Sequence, residues 1–561
     1  MKNNKTKFII REERDRSFFK DNQRSLNIRF NRIAFIFFIF FLISIIYFIH
    51  LSHLGSRNFD LKISNKYNSL NKIQRANIVD RNGDFLAKTV NSIDIGIKPI
   101  EVIDKKKLLL NLKYIFPNKN YHEINSKLEK KKFFWFEKKI SDEKYEKIMM
   151  LGDKAIKPHE TLTRVYPQKN LFSHIIGQTD DNNFGISGLE KSLDSKLKKN
   201  INSIVLTVDK DIQFLIRQEL LKYNKVFNTI GSAAILMDIH NGEIVSIISL
   251  PDFNPNKREN IVDVNYINRA TKGVYELGSV FKTFTFAAAL DEGTISPDTK
   301  FQNLEKSIKC GGNTISEYDE KIPADLTAEE ILIRSGNIGS VRIGQSIGIE
   351  KFKEFLKNLD LLNSIKFDIE EIGQPISFNW GKCKLATTSY GHGITTTILQ
   401  LANAYAIIGN GGYKIRPTLI KKNSYLKGEK ILNKNVSNNL IPILRKIVTT
   451  KEGTASLANV DGYEVAGKTG TAEKTDAGGY SRKKINTFAS IFPASNPKYS
   501  LVVMLDEPKT NSDYIYNYRD GSGMKYKGTP FNTAGWTTVE VAGQIIEKIG
   551  PILATKYIEV Y

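Results

Sequence analysis

The chain has 561 residues, of which 41% are hydrophobic and 25% are charged, and its formal net charge is +22. The composition excludes a disordered chain. The length exceeds what one compact core can hold, so two or three folded domains are expected. The positive charge alone does not separate a nucleic-acid, membrane or polyanion partner from a genome rich in Lys, Asn and Ile codons, and we favour the codon bias.

A long apolar run follows a basic N-terminus. Residues 1–32 contain ten Lys or Arg and four Asp or Glu, and the run Ile33–Ile49 contains no charge. Extended to Leu54, the run can cross a bilayer as a helix, and no small-residue cleavage site follows it. We therefore expect residues 33–54 to be an uncleaved transmembrane anchor. The positive charge before it predicts a cytoplasmic tail at 1–32, with the rest of the chain outside the membrane.

The next stretch, residues 55–203, is expected to form a separate domain. The sequence around Asn82-Gly83 predicts two short strands joined by a tight turn. Basic and aromatic residues occur together in Lys130–Lys139, which could suit single-stranded nucleic acid, but outside a membrane a half-buried strand with solvated lysines is favoured. Gly177 and Gly188 predict tight turns and close strand contacts rather than phosphate binding, because no nucleotide-binding pattern follows a strand. We therefore expect no nucleic-acid partner.

The remaining residues, 204–561, carry patterns of both helices and antiparallel strands. The predicted strands span residues 204–209, 233–250 (two strands around a turn), 463–472, 488–492 and 501–505. The predicted helices span residues 212–223, 284–290, 328–334, 339–348 and 539–549, and Thr327 begins the third of them with a capping box. Because helices and strands are grouped rather than strictly alternating, the predicted fold class is α+β.

The candidate nucleophile is Ser279, in the first turn of the helix that continues through residues 284–290. Lys282 follows three residues later, so both side chains share a face of the helix. The serine lies beside backbone N–H groups and the positive helix end, which suit a developing oxyanion. The lysine amine can accept the serine proton if its pKa lies well below the ordinary value of about 10.4. The Ser-x-x-Lys pattern alone carries little weight, because it occurs nine times in the chain.

Two further motifs distinguish Ser279 from the other eight serines. Ser335 and Asn337 are expected on a tight connection between two helices, with the hydroxyl and the amide able to point the same way. Lys468-Thr469-Gly470 occurs once and is expected on a strand. Ser-x-x-Lys, Ser-x-Asn and Lys-Thr-Gly, in this order, are typical of penicillin-binding proteins and class A β-lactamases.

The chain resembles the class B penicillin-binding proteins, the membrane-anchored transpeptidases of cell-wall synthesis. The segments that carry the resemblance are Asp80–Gly83, Arg164–Pro167, Gly188–Glu190, Asn268–Ala270, Tyr275–Ser279, Ser389–Gly393, Gly453–Ala455, Ala466–Ala472, Asp506–Pro508 and Thr533–Trp536. The last two are most similar to the septal, cell-division branch of the family. Three residues depart from the family pattern: Leu277, His392 and Ala76. These departures weaken the assignment to the septal branch more than they weaken the assignment of the chemistry.

The resemblance implies a fold and a domain order. Residues 204–561 are expected to form a transpeptidase domain like that of penicillin-binding proteins and serine β-lactamases. Such a domain has an antiparallel sheet with helices on both sides and a helical subdomain. Residues 55–203 are expected to form an elongated pedestal domain of the dimerisation type. The single transmembrane helix precedes both.

The resemblance also implies catalytic roles. Ser279 attacks the carbonyl between the last two D-alanines of a stem peptide, with Lys282 as its base, and an acyl-enzyme forms as D-alanine leaves. Ser335 and Lys468 pass a proton to the leaving amine, and Asn337 holds the substrate amide. An amine from a neighbouring strand then resolves the acyl-enzyme into a cross-link.

Substrate binding is assigned in the same way to the third motif. The strand at Lys468–Thr471 is expected to pair with the extended peptide, and Gly470 to permit its close approach. Thr469 and Thr471 are expected to bind the terminal carboxylate. The backbone N–H groups of Ser279 and Thr471 are the implied oxyanion hole.

The expected partners are stem peptides ending in D-Ala-D-Ala, β-lactams, a separate membrane glycosyltransferase and cell-division proteins. The implied location is the bacterial cytoplasmic membrane, with the catalytic domain in the periplasm. No metal or cofactor is expected. Cys310 and Cys383 could form one bridge in an oxidising compartment, although nothing in their spacing favours it.

Other functions remain open in the sequence: an elongation-type transpeptidase, a D,D-carboxypeptidase or β-lactamase, a β-lactam sensor, or a non-catalytic division scaffold. Glu429-x-x-Leu432-Asn433 resembles the class A deacylation motif, and we interpret it as coincidental. A sensor would need a larger cytoplasmic domain than residues 1–32, and the intact motifs argue against a relic. His392 is interpreted as a packing or hydrogen-bonding residue, and Tyr480 either flanks the site or lies at a loop tip.

Overall fold

A computed structural model describes residues 32, 34–52, 75–199, 202–257, 263–426, 428–476 and 479–556. The chain divides into two compact units, residues 1–72 and residues 73–561. In the first unit, helix α1 (Ala34–Ser52) is apolar and long enough to cross a membrane. It lies within the predicted anchor, whereas the predicted tail, apart from Arg32, lies outside the described residues.

The second unit begins with a five-stranded sheet. Its strands are β1 (Ile78–Val79), β2 (Phe85–Ile97), β3 (Phe134–Ile140), β4 (Ile156–Val165) and β5 (Ile204–Val205). The helices of this region are α2 (Lys105–Ile115), α3 (Tyr121–Glu129), α4 (Asp142–Met149), α5 (Ser173–Ile176), α6 (Gly188–Ser192) and α7 (Asp194–Lys199). β2 pairs antiparallel with β1, β3 and β4, and β5 pairs parallel with β1. The predicted turn at Asn82-Gly83 and the strand predicted in the basic, aromatic segment are confirmed.

Buried ion pairs hold helix α6, which lies between strands β4 and β5 in the sequence. Glu190 in α6 accepts hydrogen bonds from Arg75 and Arg164, each at 2.6 Å, and all three side chains are buried. Nearby, a Cβ on Gly177 would lie 2.0 Å from the carbonyl oxygen of Ser187. Gly177 therefore serves a close backbone contact, as the sequence predicted, because any larger residue would separate the two segments.

The rest of the unit contains the sheet that carries the candidate site. The strands are β6 (Gly231–Asp238), β7 (Ile244–Leu250), β8 (Tyr275–Glu276), β9 (Lys300–Phe301), β10 (Ser307–Cys310), β11 (Asn313–Ser316), β12 (Leu326–Thr327), β13 (Thr395–Thr396), β14 (Ala466–Asp476), β15 (Gly479–Phe492), β16 (Tyr499–Asp506), β17 (Ile515–Asn517) and β18 (Lys525–Lys527). The helices are α8 (Lys210–Val226), α9 (Lys282–Asp291), α10 (Ala328–Ile333), α11 (Asn337–Ile347), α12 (Ile349–Asn358), α13 (Lys382–Ser389), α14 (Ile398–Gly409), α15 (Lys434–Thr449) and α16 (Thr538–Lys556).

The main sheet has the order β14-β15-β16-β6-β7, and all its pairings are antiparallel. Every residue of β7 and β16 is buried, so helices cover both faces of the sheet. The helices packed against it include α8, α14 and α16. The predicted α+β class, with an antiparallel sheet between helices, is confirmed. β14 lies at one edge of this sheet and β7 lies at the other.

Two predicted strands are shorter than expected for local reasons. The strand predicted at 204–209 is reduced to Ile204–Val205, because Asp209 caps α8 by accepting two backbone hydrogen bonds. The strand predicted to begin at Tyr463 begins at Ala466. The residues before Ala466 form a turn in which Glu464 has a φ of 44°.

Candidate active site

Ser279 lies on a short 3₁₀ turn, Gly278–Phe281, that leads directly into α9. The α-helix predicted to include this serine begins only at Lys282. Gly278, which precedes the serine, has a φ of 62°, and a Cβ there would lie 2.6 Å from the carbonyl oxygen of Thr471. Ser279 is partly exposed and lines a cavity of about 930 Å³, so a ligand can reach it.

Lys282 is the first residue of α9 and has only 1% of its surface exposed. Its Nζ donates to Oδ1 of Asn337 at 2.7 Å and to the backbone oxygen of Ser335, and it lies 3.3 Å from Ser335 Oγ. Burial lowers the pKa of Lys282 to about 7, and the negative charge of Glu317 opposes that change. A neutral amine is therefore accessible near neutral pH, which is the property expected of a general base.

Ser335 and Asn337 lie on the tight connection between α10 and α11, as predicted. Ser335 has a φ of 60°, a conformation that turns the chain sharply, and Asn337 begins α11 two residues before the predicted start at Gly339. The side-chain amide of Asn337 donates to the backbone oxygen of Ser316 at 2.8 Å. Asn337 is therefore held on one side by Ser316 and on the other by Lys282.

Lys468 approaches the same cluster from β14 and is fully buried. Its Nζ donates to Ser335 Oγ at 2.8 Å and to the backbone oxygen of Thr469 at 3.1 Å. Burial, and then the nearby charge of Lys282, lower the pKa of Lys468 well below its ordinary range. One serine hydroxyl thus lies between two lysines that come from different motifs.

The third motif continues along the exposed edge of the main sheet. Thr469 and Thr471 line the cavity. The hydroxyl of Thr469 lies 2.7 Å from Thr454 Oγ1, and the hydroxyl of Thr471 accepts a hydrogen bond from the backbone N–H of Ala534 at 3.0 Å. Gly470 faces the protein instead, where a Cβ would lie 2.1 Å from the carbonyl oxygen of Leu277. The glycine therefore permits close packing of β14 on the Ser279 turn, a contact that the sequence did not predict.

More than half of the chain, including all three motifs, matches the profile of a known protein family. Residues 232–521 match the profile of the penicillin-binding protein transpeptidase domain. The chain belongs to this family. Residues 71–222 match a second profile, the penicillin-binding protein dimerisation domain, so the region around the first sheet corresponds to a domain that accompanies the transpeptidase domain.

Two relatives and one solved structure are similar to this member of the family over most of its length. The chain is 30% identical over 503 residues to a probable peptidoglycan D,D-transpeptidase FtsI of Caulobacter vibrioides, covering 86% of this chain and 82% of that protein. It is 28% identical to stage V sporulation protein D of Bacillus subtilis, covering 78% and 74% of the two chains. The fold matches penicillin-binding protein 3 of Mycobacterium tuberculosis in complex with aztreonam, with a TM-score of 0.64, 22% identity and coverage of 87% and 98%.

An aromatic and acidic wall closes one side of the cavity. Tyr480 donates a hydrogen bond to Glu276 at 3.1 Å, and the rings of His392 and Tyr480 lie 4.6 Å apart. His392 Nδ1 lies 3.9 Å from Glu276. His392 therefore packs on an aromatic ring, as predicted, beside an acid that its sequence neighbourhood did not reveal. Tyr480 flanks the site, which was one of its two predicted positions.

A disulfide bond joins two segments near the cavity. Cys310 at the end of β10 and Cys383 in α13 are bonded, with a Cα–Cα distance of 5.4 Å and a sequence separation of 73. The sequence had left this pairing open. The segment that follows the β10–β11 hairpin carries Glu317, whose carboxylate accepts hydrogen bonds from the backbone N–H groups of Asn337 at 2.7 Å and Ile338 at 2.8 Å.

The pattern Glu429-x-x-Leu432-Asn433, which resembles the deacylation motif of class A β-lactamases, does not contribute to the cavity in the described part of the chain. Leu432 is buried in the core, and Asn433 caps α15 by accepting a hydrogen bond from Asn435 N–H. The cavity lining comprises other residues and does not include Glu429. Among the described residues, no group of three or more His, Cys, Asp or Glu side chains is arranged to hold a metal ion.

Proposed function

We propose that this protein is a peptidoglycan D,D-transpeptidase that cross-links stem peptides through a serine acyl-enzyme during septal cell-wall synthesis. The observation that carries the proposal is the convergence of three sequence motifs at one cavity. Ser335 Oγ lies within hydrogen-bond reach of both Lys282 and Lys468, Lys282 also contacts Asn337, and Ser279 lines the same cavity. This arrangement suits acyl transfer, which needs a nucleophile, a base and a proton donor within one site.

In the proposed acylation step, Ser279 Oγ attacks the carbonyl carbon between the two terminal D-alanines while its proton passes to neutral Lys282. The carbonyl oxygen becomes an oxyanion, stabilised by the backbone N–H groups of Ser279 and Thr471. The carbon–nitrogen bond then breaks. The departing amine takes a proton delivered through Ser335, which lies between the two lysines, and free D-alanine leaves.

In the proposed second step, an amine of a neighbouring peptide attacks the carbonyl carbon of the ester. The amine loses a proton to the lysine–serine cluster, and the carbon–oxygen bond to Ser279 breaks. Ser279 regains a proton and the new amide is the cross-link. Asn337, held by Lys282 and by the backbone oxygen of Ser316, is proposed to orient the substrate amide in both steps.

The substrate is proposed to bind as an extended strand along β14. This strand has β15 on one side and is the edge of its sheet, and strand addition is a common way to bind an extended peptide. Thr469 and Thr471 are proposed to bind the terminal carboxylate with their hydroxyls. β-Lactams, which resemble the terminal dipeptide, are proposed to acylate Ser279 in the same position.

We propose the topology and partners that the sequence analysis anticipated. Residues 33–54 anchor the chain in the cytoplasmic membrane, residues 1–32 lie in the cytoplasm, and the domains at 55–203 and 204–561 lie in the periplasm. The apolar helix α1 supports the anchor. The glycan strands are proposed to come from a separate membrane glycosyltransferase, within an assembly of cell-division proteins.

A fluorescent penicillin tests the chemistry. The purified protein is expected to become labelled on Ser279, to retain the label for many minutes, and to lose labelling in Ser279→Ala. Peptide mapping by mass spectrometry identifies the labelled residue, and Ser522→Ala, which alters another Ser-x-x-Lys pattern, is the control. Rapid release of penicilloate would instead indicate a β-lactamase.

The septal role is tested in cells. A tagged copy is expected at midcell, and Ser279→Ala is expected to leave cells elongated and undivided when it is the only copy. Side-wall labelling would favour an elongation enzyme. Normal division with Ser279→Ala would favour a scaffold without catalysis.

A further inference from the structure

The β10–β11 hairpin and the segment after it supply one wall of the site, yet they contain none of the three motifs. Ser316 accepts a hydrogen bond from the side chain of Asn337, and Glu317 binds the first two backbone N–H groups of α11. Tyr318 donates a hydrogen bond to the backbone oxygen of Arg334 at 2.7 Å. Three consecutive residues of this segment therefore contact the connection that carries Ser335 and Asn337.

The contact made by Glu317 has a clear physical role. The first N–H groups of an α-helix lack partners within the helix, and the helix dipole places partial positive charge there. Gly336, the residue at the cap position of α11, has no side chain to satisfy them. The carboxylate of Glu317 does so from outside the helix, with one oxygen to Asn337 N–H and the other to Ile338 N–H.

The hairpin itself needs support from the rest of the protein. An isolated two-stranded hairpin is marginally stable in water, and the side chains of β10 are exposed or only partly buried. The Cys310–Cys383 bond ties its outer end to α13, and Ile315 inserts into the core. α13 in turn packs against α11 and leads to Tyr390, which lines the cavity. The bond therefore restrains the segment on which Glu317 lies.

We propose that Glu317 is a positioning residue for acyl transfer, carried on a disulfide-tethered hairpin that holds the start of α11 and thereby keeps Asn337 and Lys282 in place. The inference rests on the proposed function. Its chain of contacts is short: Glu317 to the backbone of Asn337, and the side chain of Asn337 to Lys282 Nζ at 2.7 Å.

The position of Glu317 also affects the pKa of Lys282. The charged groups that face Lys282 among the described residues are Lys468 from β14 and Glu317 from the hairpin segment, and Ser335 and Asn337 are neutral. The Glu317 carboxylate raises the pKa of Lys282, against the effect of burial. Removing this charge should therefore lower the pKa of Lys282 and extend acylation to lower pH.

The test measures the rate constant of Ser279 labelling by fluorescent penicillin between pH 5 and 9. Glu317→Gln is expected to lower the plateau rate about tenfold and to move the acidic limb towards lower pH by about 1 pH unit. Asp319→Asn is the matched control, because it removes the same charge from the same segment. The carboxylate of Asp319 accepts a hydrogen bond from Lys321 N–H, within that segment. It is expected to behave as the wild type.

The disulfide is tested through a double-mutant cycle. Cys310→Ser with Cys383→Ser is expected to lower the plateau rate several-fold, and Glu317→Gln is expected to cost less in that background than in the wild type, because both changes act on one element. Additive losses would overturn the role of the disulfide-tethered hairpin.

Three results discriminate the inference from the proposed function. A wild-type rate and pH profile in Glu317→Gln would overturn the inference alone, since labelling of Ser279 would still occur. The inference would also be overturned by a second result in Glu317→Gln. In that result, the loss of labelling matches the unfolded fraction measured by circular dichroism, and the acidic limb of the pH profile does not move. Absence of Ser279 labelling in the wild type would overturn the proposed function and the inference with it.

Discussion

Lys282 and Lys468 share the hydroxyl of Ser335 as a hydrogen-bond partner, at 3.3 Å and 2.8 Å. Both ammonium groups are removed from water, which disfavours the charged form of each, and a charge on one disfavours a charge on the other. Two charged lysines at one hydroxyl are therefore costly. The pair is suited to hold one proton and to pass it through Ser335, because the hydroxyl can both accept and donate.

The first prediction concerns the pH dependence of acylation. Lys282 accepts a proton only when it is neutral, and its pKa is lowered to about 7. The rate should therefore rise as pH increases through about 7 and should fall about tenfold for each pH unit below it. Stopped-flow measurement of penicillin labelling gives this profile, and a flat rate between pH 5 and 8 would contradict the role of Lys282.

Lys282→Arg provides the matched variant for that prediction. Arginine stays charged throughout the accessible pH range, so it cannot act as the base even though its length is similar. The variant is expected to label at least about 100-fold more slowly at every pH. A control at a surface position, Lys300→Arg, should leave the profile unchanged.

The sequence identified the motif residues but not the acid that positions them. The order of three motifs distinguished Ser279 from eight other serines in the same pattern. Glu317, by contrast, lies in a segment with two more acids, Asp319 and Glu320, within the next three residues. Nothing local distinguishes the three, because the choice depends on which carboxylate the fold brings to the start of α11.

Among the elements, β14 and the Ser279 turn form one closely packed pair. Gly470→Ala is expected to push the two apart, because the new Cβ would lie 2.1 Å from the carbonyl oxygen of Leu277. The variant should acylate at least about tenfold more slowly, since a displacement of less than 1 Å at a reacting centre is costly. Gly381→Ala, whose Cβ meets nothing within 4 Å, is the control.

The elements predicted well are those fixed by contacts within a few residues. The capping box at Thr327 forms as predicted, with Thr327 Oγ1 accepting from Glu330 N–H at 3.2 Å, and so does the turn at Asn82-Gly83. The pairing of β16 with β6 joins residues more than 250 positions apart, and no local pattern encodes such a partner. The edge position of β14 follows from that pairing order, so the residue pattern could predict the strand, whereas only the family resemblance implied that the strand has an open side.

At the scale of the whole molecule, the Arg75–Glu190–Arg164 cluster connects the first sheet to the segment before β5. Replacing Arg75 with Met would leave Glu190 buried with one partner fewer, and loss of one partner in a buried pair costs about 3–5 kcal/mol. Thermal unfolding of Arg75→Met should therefore show a clearly lower midpoint. Arg342→Met, which removes an exposed pair with Glu305, should leave the midpoint nearly unchanged.

The proposed topology gives a prediction for intact cells. In spheroplasts, protease added from outside should digest the chain after residue 54 and leave residues 1–32 protected. An epitope tag at each end, followed by immunoblotting, measures this directly. Protection of the C-terminal tag together with loss of the N-terminal tag would reverse the proposed orientation.

The Cys310–Cys383 bond has a further consequence for biogenesis. On the proposed topology, the chain is exported with its C-terminus last, so the bond can close only after the second cysteine has reached the oxidising side of the membrane. Ser279, Lys282 and Asn337 have already been exported by then. A chain that is still crossing the membrane therefore presents its nucleophile without the tether, and the mature arrangement of the site depends on completed export.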